Sequence, residues 1–193
     1  LFSFLGKKYD GLYTIDLICH GVSSSKVLVK YLQDEYDYPK IERIDFRDKT
    51  VFGWSTEMNV YFTDDVPIRK RASEDSFYKA FLNNMCLNSV CEECQFSKLP
   101  RQGDISLGDF WNIEKYDPGL NDRKGTSLVL INNEKGEQLF HDCKLIVKKE
   151  KIPLTFVRQT CNRTVFEPFR HHYARDRFFR EFSNKKFDTA VNM

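Results

Sequence analysis

The spacing of hydrophobic and polar residues divides the chain into short strands and helices. Residues 13–19 form an apolar, β-branched run that ends at His20-Gly21, which is typical of a buried strand leading into a turn. Serines at positions 23–25 follow, and one of them can cap a helix over residues 26–34. The first part of the chain therefore predicts a strand, a turn and a helix.

The middle of the chain predicts an antiparallel hairpin, a helix and further strands. Polar and apolar residues alternate over residues 41–48 and 57–62, as expected for two paired strands. Residues 76–85 have helical spacing and lead toward a group of cysteines. The same patterns predict strands over 105–111, 127–132 and 145–148, and a helix over 134–142.

These elements together predict a mixed α/β fold. We expect a central sheet flanked by helices, an antiparallel hairpin insertion near residues 41–62, and a cysteine-bearing loop beside the turn that follows Cys19. A chain of 193 residues can bury one substantial core, so we expect a single unit.

The composition is that of an ordered protein. Hydrophobic residues make up 41% of the chain and aromatic residues 15%, which is enough to offset the entropy lost on folding. The formal net charge is only +2, so we expect neither nucleic acid nor anionic membranes as partners. No apolar run reaches the length of about 18 residues that a membrane span needs.

The beginning of the chain and its cysteines indicate part of a cytoplasmic protein. Residues 1–6 lack an initiator methionine and the features of a secretion signal, and they read as the inside of a helix. We therefore expect an N-terminal part to be missing. The six cysteines are then better explained as reduced thiols or metal ligands than as disulfides.

Cys91-x-x-Cys94 is the strongest chemical signal. Two thiolates at this spacing can turn onto one metal ion or onto one face of an iron–sulfur cluster. Zinc is the alternative metal, although neither His20 nor His141 has ligand-like spacing. Two packed cysteines or a redox pair also fit the pattern, because free cysteine is often buried.

Cys19 stands at the end of the first predicted strand, where functional residues often lie. The following glycine allows a tight turn that leaves the thiol at the rim of the sheet. The alternative is a core thiol, with His20 as an ordinary turn residue. With Cys91 and Cys94, however, Cys19 can complete a group of thiols that converges on one cluster.

Four ordered blocks of sequence carry a resemblance to a known family. The blocks are Asp-Leu-Ile-Cys-His-Gly-Val at 16–22, Cys-Glu-Glu-Cys-Gln-Phe at 91–96, Asp-Ile-Ser-Leu-Gly-Asp-Phe-Trp at 104–111 and Lys-Gly-Thr-Ser-Leu-Val-Leu-Ile-Asn at 124–132. In this order and spacing, the chain resembles the C-terminal domain of the beta subunit of coenzyme F420 hydrogenases and dehydrogenases. The resemblance extends to about residue 136.

The resemblance implies an oxidoreductase with one 4Fe-4S cluster and a flavin, expected to be FAD. Such a protein moves electrons between the cluster and a small-molecule hydride acceptor, and works with a redox partner subunit or protein. The acceptor is coenzyme F420 in the hydrogenases. Bacterial relatives are often encoded near genes for surface polysaccharide biosynthesis, which leaves the substrate of this chain open.

Residue by residue, the resemblance carries the cluster ligands onto Cys19, Cys91 and Cys94. The fourth cysteine of the family lies upstream, in a Thr-Pro-Cys-Gln type segment that this chain lacks. Cys86 stands where relatives often have an aromatic residue. It is therefore either a substitute ligand or a packed thiol.

The segment formed by Lys124, Gly125, Thr126 and Ser127 is the candidate flavin site. Glycine permits close approach of the backbone, while the amine, hydroxyls and amides suit a pyrophosphate. A polar turn before a strand explains the segment equally well. Asp109, in the Gly-Asp-Phe-Trp block, is a further candidate beside the cofactor, although an aromatic strand is more often core.

The C-terminal segment is basic and aromatic. Its arginines, with Asn162 and Arg163, suit a phosphate, an acidic coenzyme tail or a partner protein. The alternative is an amphipathic helix whose arginines face water while Phe178, Phe179 and Phe182 pack inward. A competing function for the whole chain is a zinc-stabilised or cofactor-free protein-interaction domain.

Overall fold

A computed structural model describes residues 2–7, 9–51, 53–54, 57–63, 66–144, 151–160 and 162–192. The chain forms two compact units, where the sequence led us to expect one. Unit 1 comprises Leu1–Cys19, Gln95–Asp122 and Thr126–Pro168, and unit 2 comprises His20–Cys94, Arg123–Gly125 and Phe169–Met193. Each unit is assembled from segments that are distant in sequence.

The chain contains short strands and short helices. The strands are β1 (Ile15–Leu17), β2 (Ile41–Asp45), β3 (Glu57–Phe62), β4 (Ile68–Arg71), β5 (Ile105–Asp109) and β6 (Ser127–Ile131). The helices are α1 (Phe2–Leu5), α2 (Ser25–Glu35), α3 (Ser76–Leu82), α4 (Glu134–Asp142), α5 (Leu154–Thr160), α6 (Arg175–Phe182) and α7 (Phe187–Asn192). The mixed α/β class predicted from the sequence is confirmed.

Unit 1 contains a sheet with the strand order β1-β5-β6, in which β1 pairs parallel and β6 antiparallel to β5. Its buried core consists of Phe110, Ile113, Leu128, Val157 and Val165. The edge strand β1 was expected to be buried, but its side chains at positions 15 and 17 are 55% and 71% exposed. An apolar run therefore does not by itself distinguish a central strand from an edge strand.

Unit 2 contains an antiparallel sheet with the strand order β2-β3-β4. The predicted hairpin is confirmed as β2 and β3, and the central strand β3 is largely buried. Helices α2, α3, α6 and α7 contribute to its core, which includes Val27, Tyr31, Phe77, Phe178 and Phe187. The expected central sheet with an insertion is thus replaced by two separate sheets.

Strand β4 was not predicted because its sequence, Ile-Arg-Lys-Arg, has no apolar alternation. Its basic side chains reach carboxylates on neighbouring segments. Arg69 lies 3.7 Å from Asp48, and Lys70 lies 3.5 Å from Glu35. Strand β4 pairs with β3, and its side chains meet opposite charges on neighbouring segments where other strands have a row of apolar residues.

Helices α2 and α4 have nearly the bounds predicted from the sequence, and each has a side-chain cap. Ser24 caps α2 by accepting a hydrogen bond from the Lys26 amide, and Asn133 caps α4 by accepting one from the Gly136 amide. The predicted strand over residues 145–148 lies outside the described residues. A membrane-spanning helix is absent from the part of the chain that the structure describes.

Candidate functional site

The Cys91-x-x-Cys94 motif forms a compact turn in unit 2. A short 3-10 helix covers Ser89–Cys91. The Cys91 amide donates to the Asn88 carbonyl at 3.0 Å, and the Cys94 amide donates to the Cys91 carbonyl at 3.4 Å. Both cysteines are half-buried. The fold therefore places Cys91 and Cys94 on one turn, and their role as metal ligands stays a prediction.

The chain before this turn is fixed against residues 21–23. The Asn88 amide donates to the Val22 carbonyl at 2.7 Å, and Ser23 and Leu87 form an isolated β-bridge. Gly21 has φ +148°, and a Cβ at this position would lie 2.8 Å from a methyl carbon of Leu87. The glycine after the first predicted strand thus permits close packing on the cysteine-bearing segment.

Arg175, the first residue of α6, binds the same segment from another side. Its side chain is only 10% exposed, and its Nε lies 3.0 Å from a carboxylate oxygen of Glu92. Its Nη1 donates to the Met85 carbonyl at 3.2 Å and also to the Leu87 carbonyl. The expectation that the C-terminal arginines face water is therefore wrong for Arg175. Its position three residues before the buried Phe178 was the available sequence signal.

Glu92, inside the Cys-x-x-Cys motif, has a second partner. His171 Nδ1 lies 3.1 Å from both carboxylate oxygens of Glu92, and its Nε2 lies 3.7 Å from Asp176. Glu92, one of the two residues between the cysteines, is therefore held by side chains from the C-terminal segment. No sequence pattern indicated that Glu92, His171 or Arg175 belongs to the site.

Cys86 is a packed thiol. It is 1% exposed, and burial raises its pKa to about 12. A metal ligand must be a thiolate, and this environment favours the protonated form. Of the two interpretations of Cys86, the structure supports core packing.

Cys19 lies two residues after the end of β1 and is exposed, which places it near the end of a strand as expected. His20 Nε2 lies 3.2 Å from the Phe81 carbonyl, which agrees with the turn-residue interpretation. Cys19 belongs to unit 1, whereas Cys91 and Cys94 belong to unit 2. Among the described residues, no group of three or more His, Cys, Asp or Glu side chains is arranged to hold a metal ion. The convergence of Cys19 with the other two thiols stays a prediction.

The candidate flavin segment is divided between the two units. Lys124 and Gly125 belong to unit 2, while Thr126 and Ser127 belong to unit 1. Gly125 has φ +98°, and a Cβ there would lie 2.8 Å from the Trp54 ring. Packing against this indole is enough to require glycine, without any phosphate. The Thr126 hydroxyl donates to the Leu120 carbonyl at 2.9 Å, whereas Ser127 is exposed.

Basic side chains gather around Trp54 in unit 2. Arg47 and Lys49 each lie 4.8 Å from the centre of the Trp54 ring, and Lys49 Nζ donates to the Lys124 carbonyl at 3.0 Å. Arg47, Lys49 and Lys124 are exposed. The positive charges of Arg47 and Lys49 beside the indole suit the diphosphate of a flavin dinucleotide, and the sequence pattern did not reveal them.

Asp109 ends β5 and is half-buried. Its carbonyl accepts hydrogen bonds from the Trp111 amide at 3.1 Å and from the side-chain amide of Asn162 at 2.5 Å. Asn162 is itself 8% exposed, so its amide stabilises the end of this strand. The contact explains Asn162 without an external phosphate.

Comparison with known proteins identifies a family. A model of the C terminus of the coenzyme F420 hydrogenase/dehydrogenase beta subunit matches residues 6–154. No curated protein and no solved structure gives a significant match. The matched range contains the cysteine turn, Cys19 and the Lys124–Ser127 segment, but it ends before Arg175.

Proposed function

This chain belongs to the coenzyme F420 hydrogenase/dehydrogenase beta-subunit family, and from this premise we propose that it is an iron–sulfur flavoprotein. The observation that carries the proposal is the Cys91–Cys94 turn, where two half-buried cysteines lie on one turn held by backbone hydrogen bonds. Cytoplasmic location and a link to polysaccharide biosynthesis belong to the same proposal.

The donor chemistry of the turn fits an iron–sulfur cluster. Thiolates are the ligands that 4Fe-4S clusters take, and pairs separated by two residues are common among them. We assign Cys91 and Cys94 as ligands and Cys19, whose thiol is exposed, as the third. The family resemblance supplies the fourth from an upstream cysteine. Cys86 is left out because it is buried, and burial raises the pKa of its thiol.

The basic residues around Trp54 fit a flavin. Arg47, Lys49 and Lys124 would bind the diphosphate of FAD, while Ser127 offers an exposed hydroxyl. When bound, the cluster supplies one-electron transfer, and the flavin couples two such electrons and a proton to a hydride. The protein's own part is to bind both groups and to exclude water from them. A redox partner subunit and a small-molecule hydride acceptor complete the proposed reaction.

Anaerobic purification of the full-length natural protein tests the cluster. We expect a brown sample with iron and acid-labile sulfide near the ratio of a 4Fe-4S cluster. Cys91→Ser and Cys94→Ser should lose most of both, whereas Cys143→Ser should keep them because Cys143 is exposed and not among the proposed ligands. A colourless sample with stoichiometric zinc would instead establish the zinc-stabilised module, and a metal-free sample would establish a cofactor-free domain.

The same sample tests the flavin. Extracted FAD should be present, and Lys124→Gln should weaken its binding about tenfold, the effect of losing one charge-assisted hydrogen bond. Lys26→Gln is the matched control, since Lys26 is an exposed lysine of unit 2 on a different segment. Equal weakening by both substitutions would place the flavin elsewhere.

A further inference from the structure

We propose that Arg175 is a positioning residue that sets the conformation of the Cys91–Cys94 turn and thereby the properties of a cluster bound there. The part concerning the cluster rests on the proposed function. The family model ends at residue 154, so the match gives no role to Arg175. The inference comes from its contacts alone.

The guanidinium contacts three acceptors at two places along the cysteine-bearing segment. These are the carbonyls of Met85 and Leu87, before the turn, and the carboxylate of Glu92, inside it. A guanidinium is planar and carries five N–H donors in fixed directions, so binding several acceptors at once fixes their relative positions. Arg175 therefore links the segment before the turn to Glu92, one of the two residues between its cysteines.

Burial makes this link costly to break. The Arg175 side chain is 10% exposed and that of Glu92 is 24% exposed. Removing the guanidinium would leave the two carbonyls and the carboxylate without their charged donor, in a place that water reaches poorly. His171 would still contact Glu92, but through an exposed ring that bonds neither carbonyl. The segment before the turn would then lose its connection to Glu92.

The Phe179 ring also contacts the guanidinium of Arg175. Its ring centre lies 4.7 Å from the Arg175 guanidinium carbon, which adds a cation–π contact. Phe178, the preceding residue, is fully buried in the core of unit 2 and anchors α6. Arg175 therefore extends from a helix that is anchored in the core of unit 2.

Two substitutions separate the geometry of Arg175 from its charge. Arg175→Lys keeps the positive charge but lacks the planar fork, so it should loosen the turn. Arg175→Gln loses both charge and fork. Arg180→Gln is the matched control, because Arg180 is an exposed arginine of the same helix.

The first readout needs no cofactor. In apo-protein we expect alkylation of Cys91 and Cys94 to be about tenfold faster in both Arg175 variants, the effect of losing one hydrogen bond to a charged group. Cys143 is exposed and serves as the internal reference. Hydrogen exchange should rise over residues 85–94 but not in β3, and Arg180→Gln should change neither. Unchanged rates, or an equal rise in β3, would overturn the inference, the latter because it indicates general destabilisation.

The second readout uses cluster-loaded protein. Arg175→Gln should lower the midpoint potential, because a nearby positive charge favours the reduced cluster. Arg175→Lys should alter the electron paramagnetic resonance line shape with a smaller change in potential. If wild-type protein binds no cluster, the proposed function fails while the alkylation result still decides the role of Arg175. If the cluster forms and both variants match wild type, only the inference fails.

Discussion

Burial distinguishes the thiol of Cys86 from those of Cys19 and Cys143, which are exposed. All three are cysteines, so residue type alone does not show which of them could bind a metal. Their spacing in the sequence answers this question only in part. The environment separates them further, because an apolar surrounding penalises the thiolate that a metal requires. The fold therefore reduces the number of cysteines that are candidate metal ligands, which the sequence alone leaves open.

The stability of the protein should depend on alkaline pH partly through Cys86. Its folded pKa of about 12 lies above the ordinary value of 9.0, so the unfolded chain releases this proton first. The contribution is fully present below pH 9 and is lost as the pH rises toward 12. Between pH 9 and 10 the loss is about 1 kcal/mol.

Denaturant unfolding across this pH range measures the effect. Wild type should lose stability more steeply than Cys86→Ala, whose side chain does not ionise. Cys143→Ala provides the control and should follow wild type, since Cys143 is exposed. Parallel curves for wild type and Cys86→Ala would show that the buried thiol makes no such contribution.

Helices α2 and α3 are joined by a buried polar contact. The Tyr31 hydroxyl donates to the Asp75 carboxylate and lies 3.0 Å from the Tyr36 hydroxyl. Asp75 also caps α3 by accepting a hydrogen bond from the Tyr78 amide at 2.9 Å. Tyr31 and Asp75 are both 0% exposed. The N-terminus of α3 therefore depends on a donor from α2.

Tyr31→Phe should destabilise the protein by about 2 kcal/mol, because it leaves the buried Asp75 carboxylate without this donor. Thermal and denaturant unfolding measure the change. Tyr38→Phe removes a hydroxyl from a tyrosine that is 37% exposed and should change stability by less than about 0.5 kcal/mol. Equal effects of the two substitutions would contradict the proposed link between the helices.

Elements with strong local signals could be predicted, and those held by distant partners could not. Periodicity located α2 and α4 to within one residue, and the serines at 23–25 added a capping signal for α2. Strand β4 was not predicted because it is held by its pairing with β3 and by carboxylates on other segments, which its own four residues do not reveal. Arg175 was not predicted for a similar reason. Its partners lie about 85 residues earlier in the chain, and no local sequence pattern links the two segments.

At the scale of the whole molecule, each unit has its own hydrophobic core. Val60 belongs to the core of unit 2 and Val165 to that of unit 1, and both are 0% exposed. Neither core is contiguous in sequence. Hydrophobic periodicity identifies inward faces but not which faces meet, so two cores could not be predicted from it.

Val60→Ala and Val165→Ala form a matched pair that tests this division. Each should lower stability by about 2 kcal/mol through the loss of buried methyl groups. Hydrogen exchange should rise most in β3 for Val60→Ala and most in β6 for Val165→Ala. A uniform rise throughout the chain in both variants would indicate a single cooperative core.

The core of unit 2 includes residues near the end of the chain, and this affects which C-terminal boundary is chosen for expression. A protein trimmed at residue 154, where the family match stops, would lack the buried rings of Phe178 and Phe187. Their aromatic neighbours Tyr31 and Phe77 would then meet solvent. Such a shortened protein should aggregate, so expression for biochemical work should retain the sequence through Asn192.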